Sequence, residues 1–581
     1  MPASMAARAP GRNPDHISTS RAWAACLLLC AAVPMAGFAQ SPNARIPEVP
    51  DAGRSLREIE STQPEFAPLP DQAPLDDSAA RPAPAPSGDP DGGARLHVRA
   101  FRLQGNLHVD TDALQAQLAD LNGSEQDLAG LRAAADRITR YYHDQGYLLA
   151  RAYLPPQEIR DGVVDIAVQE GVYDEIQLDN RSRVSDAVLR RGLSVLRPGD
   201  PVHIDNLESR LLRLSDLPGA AVQGTLRAGA HPGSSTLLVN AAPTPLVTGS
   251  IDADNFGGYY TGEYRLGGSL DVNSPLRLGD QLSLRLLTSD RKQRYYYAAY
   301  QAPVGPALTR LGLNVSNMRY ALGRDFETLE AHGSARTTGI FMQQPLITGR
   351  HFRLEARLQY EDRQLRDDID MFSQRHAKRI RLGTASLSAN GEDSLFGGGR
   401  SAAYISYSHG SLRLETEAQR IRDRALNRSA GGFGKLNLTL LRLQHLYGPF
   451  TLYGQISAQR ATKNLDSSEQ FSLGGPYGVR AYANGSSSGD SGWQASLELR
   501  YVPMAGLQFA AFADAGRVQL SQRPWTDERN QRRLSAAGLS ITQAGPSHQV
   551  MAAMAWPIQR ENEQNGPKQE PRFWLRATRY F

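Results

Sequence analysis

Residues 352–360 read FRLEARLQY. Phe352, Leu354, Ala356, Leu358 and Tyr360 fall on one parity, and Arg353, Glu355, Arg357 and Gln359 on the other. Successive side chains of a β-strand point to opposite faces, so this segment, extended, has one apolar and one polar face. The pattern spreads in both directions. Leu282, Leu284 and Leu286 alternate with Ser283 and Arg285, and Leu311, Leu313 and Val315 alternate with Gly312 and Asn314. Leu452, Gly454, Ile456 and Ala458 alternate with Tyr453, Gln455, Ser457 and Gln459. Ala495, Leu497, Leu499 and Tyr501 alternate with Ser496, Glu498 and Arg500. From about Leu246 such segments recur roughly every 15 to 25 residues, each about nine to eleven residues long, the length that crosses a bilayer at a tilt.

An all-β transmembrane barrel is therefore expected over residues 244–581. At about 21 residues per strand plus loop, roughly 16 antiparallel strands fit. A soluble sandwich or propeller accounts neither for the strand length nor for charge on the inner face of so many strands. In the last segment, Phe573, Leu575, Ala577 and Phe581 share one face, with Arg579 the odd member. Arg572, Trp574, Arg576, Thr578 and Tyr580 share the other. The terminal Phe581 is the aromatic ending that outer-membrane assembly machinery prefers, so that machinery is an expected partner, as is outer-membrane lipid.

Bulk properties agree. The 581 residues carry 64 Lys and Arg against 60 Asp and Glu, a net charge of +4. That balance gives no footprint for nucleic acid. Mean hydropathy is −0.43, and no run of about 20 apolar residues follows the N-terminal region, which excludes a helical membrane protein. A barrel alternates lipid-facing and lumen-facing residues, so its average looks soluble.

Residues 1–39 read as a secretory signal. Arg8, Arg12 and Arg21 precede or flank a short apolar core from Ala22 to Val33, and Gly37-Phe38-Ala39 offers small residues for cleavage before Gln40. Both cysteines, Cys26 and Cys30, lie in that core, so the mature chain is expected to have no disulfide and no thiol chemistry. Residues 40–94 form a Pro-rich linker with one island at about 51–60, where Leu56 and Ile59 fit either a short helix or an unstructured segment.

Between linker and barrel, one α/β order occurs twice. In residues 95–172 a strand is expected over His97–Leu103, helices over Thr111–Asp120 and Gln126–Gln145, and strands over Leu149–Leu154 and Val163–Gln169. Gly146 ends the second helix, and Asp161-Gly162 is a hairpin signal. Residues 173–243 repeat it: a strand over Tyr173–Leu178, a helix over Ser185–Gly192 with Ser185 as N-cap, a helix over Ile204–Leu214, and strands over Ala221–Arg227 and Thr236–Asn240.

Four further stretches carry a family resemblance: Gly146-Tyr147 through Gln157 with Asp161-Gly162 and Glu170-Gly171; Asp254-Asn255-Phe256-Gly257; Leu473-Gly474-Gly475-Pro476-Tyr477-Gly478-Val479-Arg480-Ala481-Tyr482; and Phe512-Ala513-Asp514-Ala515-Gly516. Together they resemble the outer-membrane transporters of two-partner secretion, the haemolysin secretion/activation family of the Omp85 superfamily, over nearly all of the mature chain. The resemblance implies a plug helix near 51–60, two periplasmic POTRA domains of β-α-α-β-β order, and a 16-stranded barrel in a Gram-negative outer membrane. It implies that the third stretch is the tip of a long sixth loop, with Gly478, Val479, Arg480 and Tyr482 as its motif. Phe512, Asp514 and Gly516 belong to the inner-wall strand that receives it. Glycines allow a tight tip, and a guanidinium inside a narrow barrel needs a carboxylate; the family pairing carries over as Arg480 with Asp514. Where the superfamily often has Gly, this chain has Ala481, which still permits close backbone approach. The resemblance also implies that an unfolded client adds as a strand at the first POTRA domain, at Leu149, Ala150, Arg151, Ala152, Tyr153 and Leu154, beside the helix Leu128–Tyr142.

The function implied is an ATP-independent pore that exports a secreted partner such as an adhesin, haemolysin, toxin or haem scavenger. An Omp85-type assembly or insertion factor is the alternative; those commonly have more POTRA domains than the two that fit here. Catalysis is not expected. Gly485-Ser486-Ser487-Ser488-Gly489 matches G-x-S-x-G formally but lies in a Ser/Gly-rich loop with no helix following. No metal or cofactor is expected.

Overall fold

The computed structural model describes residues 50–60, 75–76, 95–559 and 568–581. The expected signal segment and most of the linker lie outside the described residues. A helix α1 (Ala52–Glu60) and a short strand β1 (Leu75–Asp76) come first.

The first α/β unit contains β2 (Leu96–Val98), β3 (Ala100–Gln104), α2 (Thr111–Ala116), β4 (Ser124–Gln126), α3 (Leu128–Asp144), β5 (Arg151–Tyr153) and β6 (Val163–Gln169). The single strand expected over His97–Leu103 is broken at Arg99. The Asp161-Gly162 turn folds against it, both residues at positive φ, and the Gly162 carbonyl accepts the Arg99 N–H at 2.7 Å. Freed from the main sheet, β2 pairs with β4, a strand without a period-two signal of its own. The first helix ends four residues early and gives way to a 3₁₀ turn at Ala119–Leu121. The β5 strand is shorter than Leu149–Leu154 because Leu149 packs on the second unit's core and Pro155 ends the ladder. The sheet order is β3-β6-β5, with β5 at the edge.

The second unit contains β7 (Val172–Asn180), α4 (Asp186–Leu193), α5 (Ile204–Ser215), β8 (Ala220–Ala228) and β9 (Ser234–Pro243). Its sheet order is β1-β8-β9-β7, so the linker strand β1 runs parallel along the β8 edge. Ser185 stands at the N-cap of α4, but its side chain makes no capping bond. Its backbone N–H is committed to Arg277 O at 2.8 Å, in a barrel turn. This unit is joined to the barrel rim. Leu308 enters its core, Arg353 Nη1 lies 3.0 Å from Asp216 Oδ1, and Arg350 pairs with Glu208.

Among the described residues, sixteen antiparallel strands close a barrel, from Val247–Asp254 to Arg572–Tyr580. The apolar parity faces out: Leu286, Leu313, Leu358, Ile456 and Leu497 are all exposed, where a soluble protein would bury them. The expected strand length holds only near the seam. The central strands are longer, Gln374–Asp393 reaching 20 residues. A ladder bonded on both sides can continue past the hydrocarbon layer at no backbone cost. The seam pairs Ser250 with Tyr580, and Phe581 exchanges two backbone hydrogen bonds with Gly249, at 3.0 and 3.1 Å.

Candidate functional site in the barrel lumen

Two elements fill the lumen. The first is the loop between the eleventh strand (Phe450–Ala461) and the twelfth (Ser491–Met504). It runs inward as a small hairpin, Phe471–Leu473 against Ser487–Gly489. Gly474 and Gly475, at φ of +91° and +88°, turn its tip, and the Gly475 N–H donates to Tyr482 O at 2.9 Å. A Cβ on Gly478 would stand 2.5 Å from Gly474 O, so the tip has room only for glycine there.

Arg480 leaves this tip toward the thirteenth strand (Leu507–Gln519). Its Nη2 and Nε donate to the two Asp514 oxygens at 2.7 and 2.9 Å, and its backbone N–H reaches Oδ2 at 3.1 Å. Nη1 donates to Glu498 Oε1 at 2.7 Å and Nη2 to Ser496 Oγ at 2.8 Å. The guanidinium carbon lies 3.3 Å from the Phe512 ring centroid. Trp574 Nε1 donates to Arg480 O at 2.7 Å. A buried cation held by two carboxylates, a hydroxyl and a ring is compensated on every side. Gly516 leaves space for Leu473, whose Cδ2 would lie 2.7 Å from an added Cβ. Val479, Ala481 and Tyr482 are buried with Phe256 and Trp574, and the Tyr482 hydroxyl donates to Gln559 O. Glu498, Ser496 and Trp574 were not assigned from sequence. All three sit on the inner parity of segments already read as strands, which was the signal available for them.

The second element is α1. Ala52, Leu56 and Ile59 share one buried face and pack on Tyr260, Tyr320, Phe326 and Leu365. Its N-terminus is pinned by charge. Asp51 Oδ2 lies 2.9 Å from Lys378 Nζ and accepts from Ser467 Oγ at 2.6 Å, and the Ala52 N–H donates to Asp367 Oδ1 at 2.7 Å. At its other end Arg57 donates to Gln470 O. Arg363 bridges Glu60, Glu361 and Glu469 at 3.6, 2.8 and 3.3 Å, and Lys435 lies 2.7 Å from Glu469. Ser467, Glu469 and Gln470 belong to the base of the same inward loop, so helix and loop share one polar network. Gly53 touches that base directly: an added Cβ would lie 2.5 Å from Ser467 Oγ. What remains open is a polar cavity of about 1050 Å³, lined by Arg54, Arg57, Glu60, Tyr297 and Arg357 among others.

The edge strand β5 is less open than an extended client requires. The Ala152 N–H donates to Thr139 Oγ1 at 2.9 Å, and Ala150 O lies 3.0 Å from His143 Nε2. Both partners come from α3. Arg151 and Tyr153 point outward, Ala150 and Ala152 are buried, and Leu154 packs on the unit's core. At the junction of the two α/β units, Glu170 accepts the Leu107 and His108 N–H groups, each at 2.8 Å, and the Tyr142 hydroxyl at 2.9 Å. Burial pushes its carboxyl up, but the donors from His108 and Tyr142 outweigh this and hold it below the usual carboxylate range. Among the described residues no group of His, Cys, Asp and Glu could hold a metal. Ser487–Gly489 is a strand paired with Phe471–Leu473, not the strand–turn–helix of a nucleophile elbow.

A closed barrel thus holds in its lumen an inward loop anchored by an arginine and a helix joined to the base of that loop. Residues 233–544, more than half of the chain, match the model of the haemolysin secretion/activation protein ShlB/FhaC/HecB family. The chain belongs to that family. Residues 96–171 match the POTRA domain, ShlB-type. Heme/hemopexin transporter protein HuxB of Haemophilus influenzae is 28% identical over 558 residues, 94% of this chain and 97% of that one. Outer membrane transporter CdiB of Dickeya dadantii is 25% identical over 447 residues, 72% of this chain and 75% of that one. The solved structure of CdiB from Escherichia coli has a TM-score of 0.68 at 20% identity, covering 87% of this chain and 94% of that one, which shows a common fold. As a member of the family, this transporter is an outer-membrane pore of two-partner secretion. Its POTRA region lies in the periplasm, and it works with a secreted exoprotein.

Proposed function

We propose that the pore is held shut by the joint network of α1 and the sixth loop, and that an unfolded exoprotein opens it by displacing both. The supporting observation is the set of contacts between Asp51, Gly53 and Arg57 and the loop base at Ser467–Gln470, with Arg480 anchoring the same loop to Asp514. In this reading residues 95–172 and 173–243 are the two POTRA domains and 244–581 the barrel. The client pairs at β5, from Leu149 to Leu154, once Thr139 and His143 release its backbone. It then threads through the lumen, drawn outward as it folds at the surface. Phe581 is read by the assembly machinery during insertion. The likeness to proteins named heme/hemopexin transporters supports a client in haem acquisition over an adhesin or toxin.

A crosslink tests the gate. The side chains of Asp51 and Ser467 meet, Ser467 Oγ donating to Asp51 Oδ2 at 2.6 Å, so cysteines at the two positions lie within the span of a short thiol-reactive bridge. The Asp51→Cys/Ser467→Cys protein should assemble, fail to export its exoprotein once both thiols are joined through the disulfides of a short bis-methanethiosulfonate bridge, and recover on reduction. Normal export through the bridged protein would show that the client takes a path on which helix and loop stay together.

A further inference from the structure

On the rim away from the POTRA domains, the long central strands run past their last lipid-facing apolar residues and carry arginines. The fourth to ninth strands are involved: Arg294–Val304, Thr309–Ala321, Ala331–Thr348, Phe352–Ile369, Gln374–Asp393 and Gly399–Leu414. Arg294 lies directly opposite Arg319. Arg319 faces Ser334, two residues from Arg336. Ser334 also faces Arg366. Arg366 faces Ala377, two residues from Arg379, and Arg379 lies directly opposite Arg413. Each arginine is thus the direct or diagonal neighbour of the next across six consecutive strands.

All six share parity with exposed apolar residues on their own strands: Tyr296, Val315, Ile340, Tyr360, Leu387 and Tyr407. They therefore point away from the lumen. Their distance beyond those residues is short. Arg294 is two residues past Tyr296, Arg366 is six past Tyr360, and Arg379, the farthest, is eight past Leu387. At about 3.3 Å per residue and a tilt near 45°, two to eight residues are roughly 5 to 19 Å, which places the arginines from the headgroup layer outward.

Like charges directly opposite each other weaken a ladder. Asp362 answers Arg379 and also Arg381, at 2.7 and 3.3 Å, and Asp368 answers Arg366 at 2.9 Å. For Arg294, Arg319, Arg336 and Arg413, no carboxylate lies within 4.0 Å among the described residues. An anion from outside the chain would remove the repulsion. Guanidinium groups bind phosphate through paired N–H donors. A zwitterionic phospholipid brings its own cation and compensates poorly. A glycolipid with several phosphates compensates well, and its acyl chains fit the apolar wall immediately below.

We propose that this arginine band binds the phosphorylated glycolipid of the outer leaflet. The site is on the strands remote from the seam between the first and last strands, and it is independent of the gate.

The test uses the full-length transporter in phosphatidylethanolamine vesicles containing diphosphoryl lipid A, with bound lipid A counted per barrel by native mass spectrometry. Wild type should retain lipid A, and the Arg294→Gln/Arg319→Gln/Arg336→Gln/Arg413→Gln variant should retain at least about tenfold less. Dephosphorylated lipid A should be lost from wild type to a similar degree. Equal retention by wild type and variant, or of phosphorylated and dephosphorylated lipid, would overturn the proposal. Displacement by low-millimolar inorganic phosphate would also overturn it, by showing an anion site without lipid specificity. If the quadruple variant does not assemble, the two lipids on wild type decide. Export is scored separately, so loss of lipid with intact secretion bears on the band alone.

Discussion

Asp514→Asn removes a charge from the gate with almost no change in size. Asp514 accepts three N–H groups of Arg480, at 2.7, 2.9 and 3.1 Å, and the Ser496 hydroxyl at 2.8 Å. Asparagine keeps one acceptor oxygen and turns an NH₂ toward the guanidinium, so the bidentate pair is lost. Removing one partner of a buried pair costs about 3–5 kcal/mol. Glu498 remains 2.7 Å from Nη1 and still compensates part of the charge, so a cost below that range, about 2–3 kcal/mol, is expected for the inward loop. This corresponds to a roughly 30- to 150-fold larger released fraction. Ser486 is a suitable reporter, being buried in the same loop at 2% exposure. The only cysteines, Cys26 and Cys30, fall in the expected signal segment. The maleimide labelling rate of Ser486→Cys tracks the released fraction and should rise by that factor when Asp514→Asn is added. Heat-modifiable electrophoretic mobility should show an assembled barrel, and export should fall. Unchanged labelling and unchanged export in an assembled barrel would refute the reasoning. So would a strictly additive Arg480→Ala/Asp514→Ala double mutant, because partners in one contact do not add.

Gly53→Val drives a side chain into Ser467 and Ser468, an overpacking of about 1–3 kcal/mol; planar-bilayer recordings should show longer open times, and wild-type gating would count against the contact. The Glu170 carboxyl is held below its usual range, so its contribution is fully present above the unfolded value of about 4.3 and fades as pH falls through the folded one. The protection of the Leu107 and His108 amides in the full chain, measured as exchange relative to the intrinsic rate at each pH, should therefore fall in acid, and Glu170→Gln should flatten that dependence while lowering protection at neutral pH. Deleting Phe581 removes two backbone bonds at the seam; the yield of heat-modifiable barrel should drop, and an undiminished yield would deny the residue any part in assembly.

The barrel could be read from FRLEARLQY and its repeats because strand parity is a local property: each segment states which of its faces is apolar. The inward loop's glycines and its pairing of Arg480 with Asp514 were legible for a different reason, since short motifs carried them. Three features were not. Glu498 became the second carboxylate on Arg480 through a register in which Ser496 faces Asp514 and Glu498 faces Phe512; one residue of slip in its strand would turn Glu498 to lipid. The place of α1 rests on Asp51 meeting Lys378 and Arg57 meeting Gln470, contacts between segments hundreds of residues apart. The closure of the β5 edge depends on how α3 settles on the sheet, which brings Thr139 to Ala152. The residues alone determined the periods, the turns and the charge of each face. Only closure of the barrel decided which charges meet, because the partners of a buried ion are chosen by strand register and packing and not by neighbours in the chain.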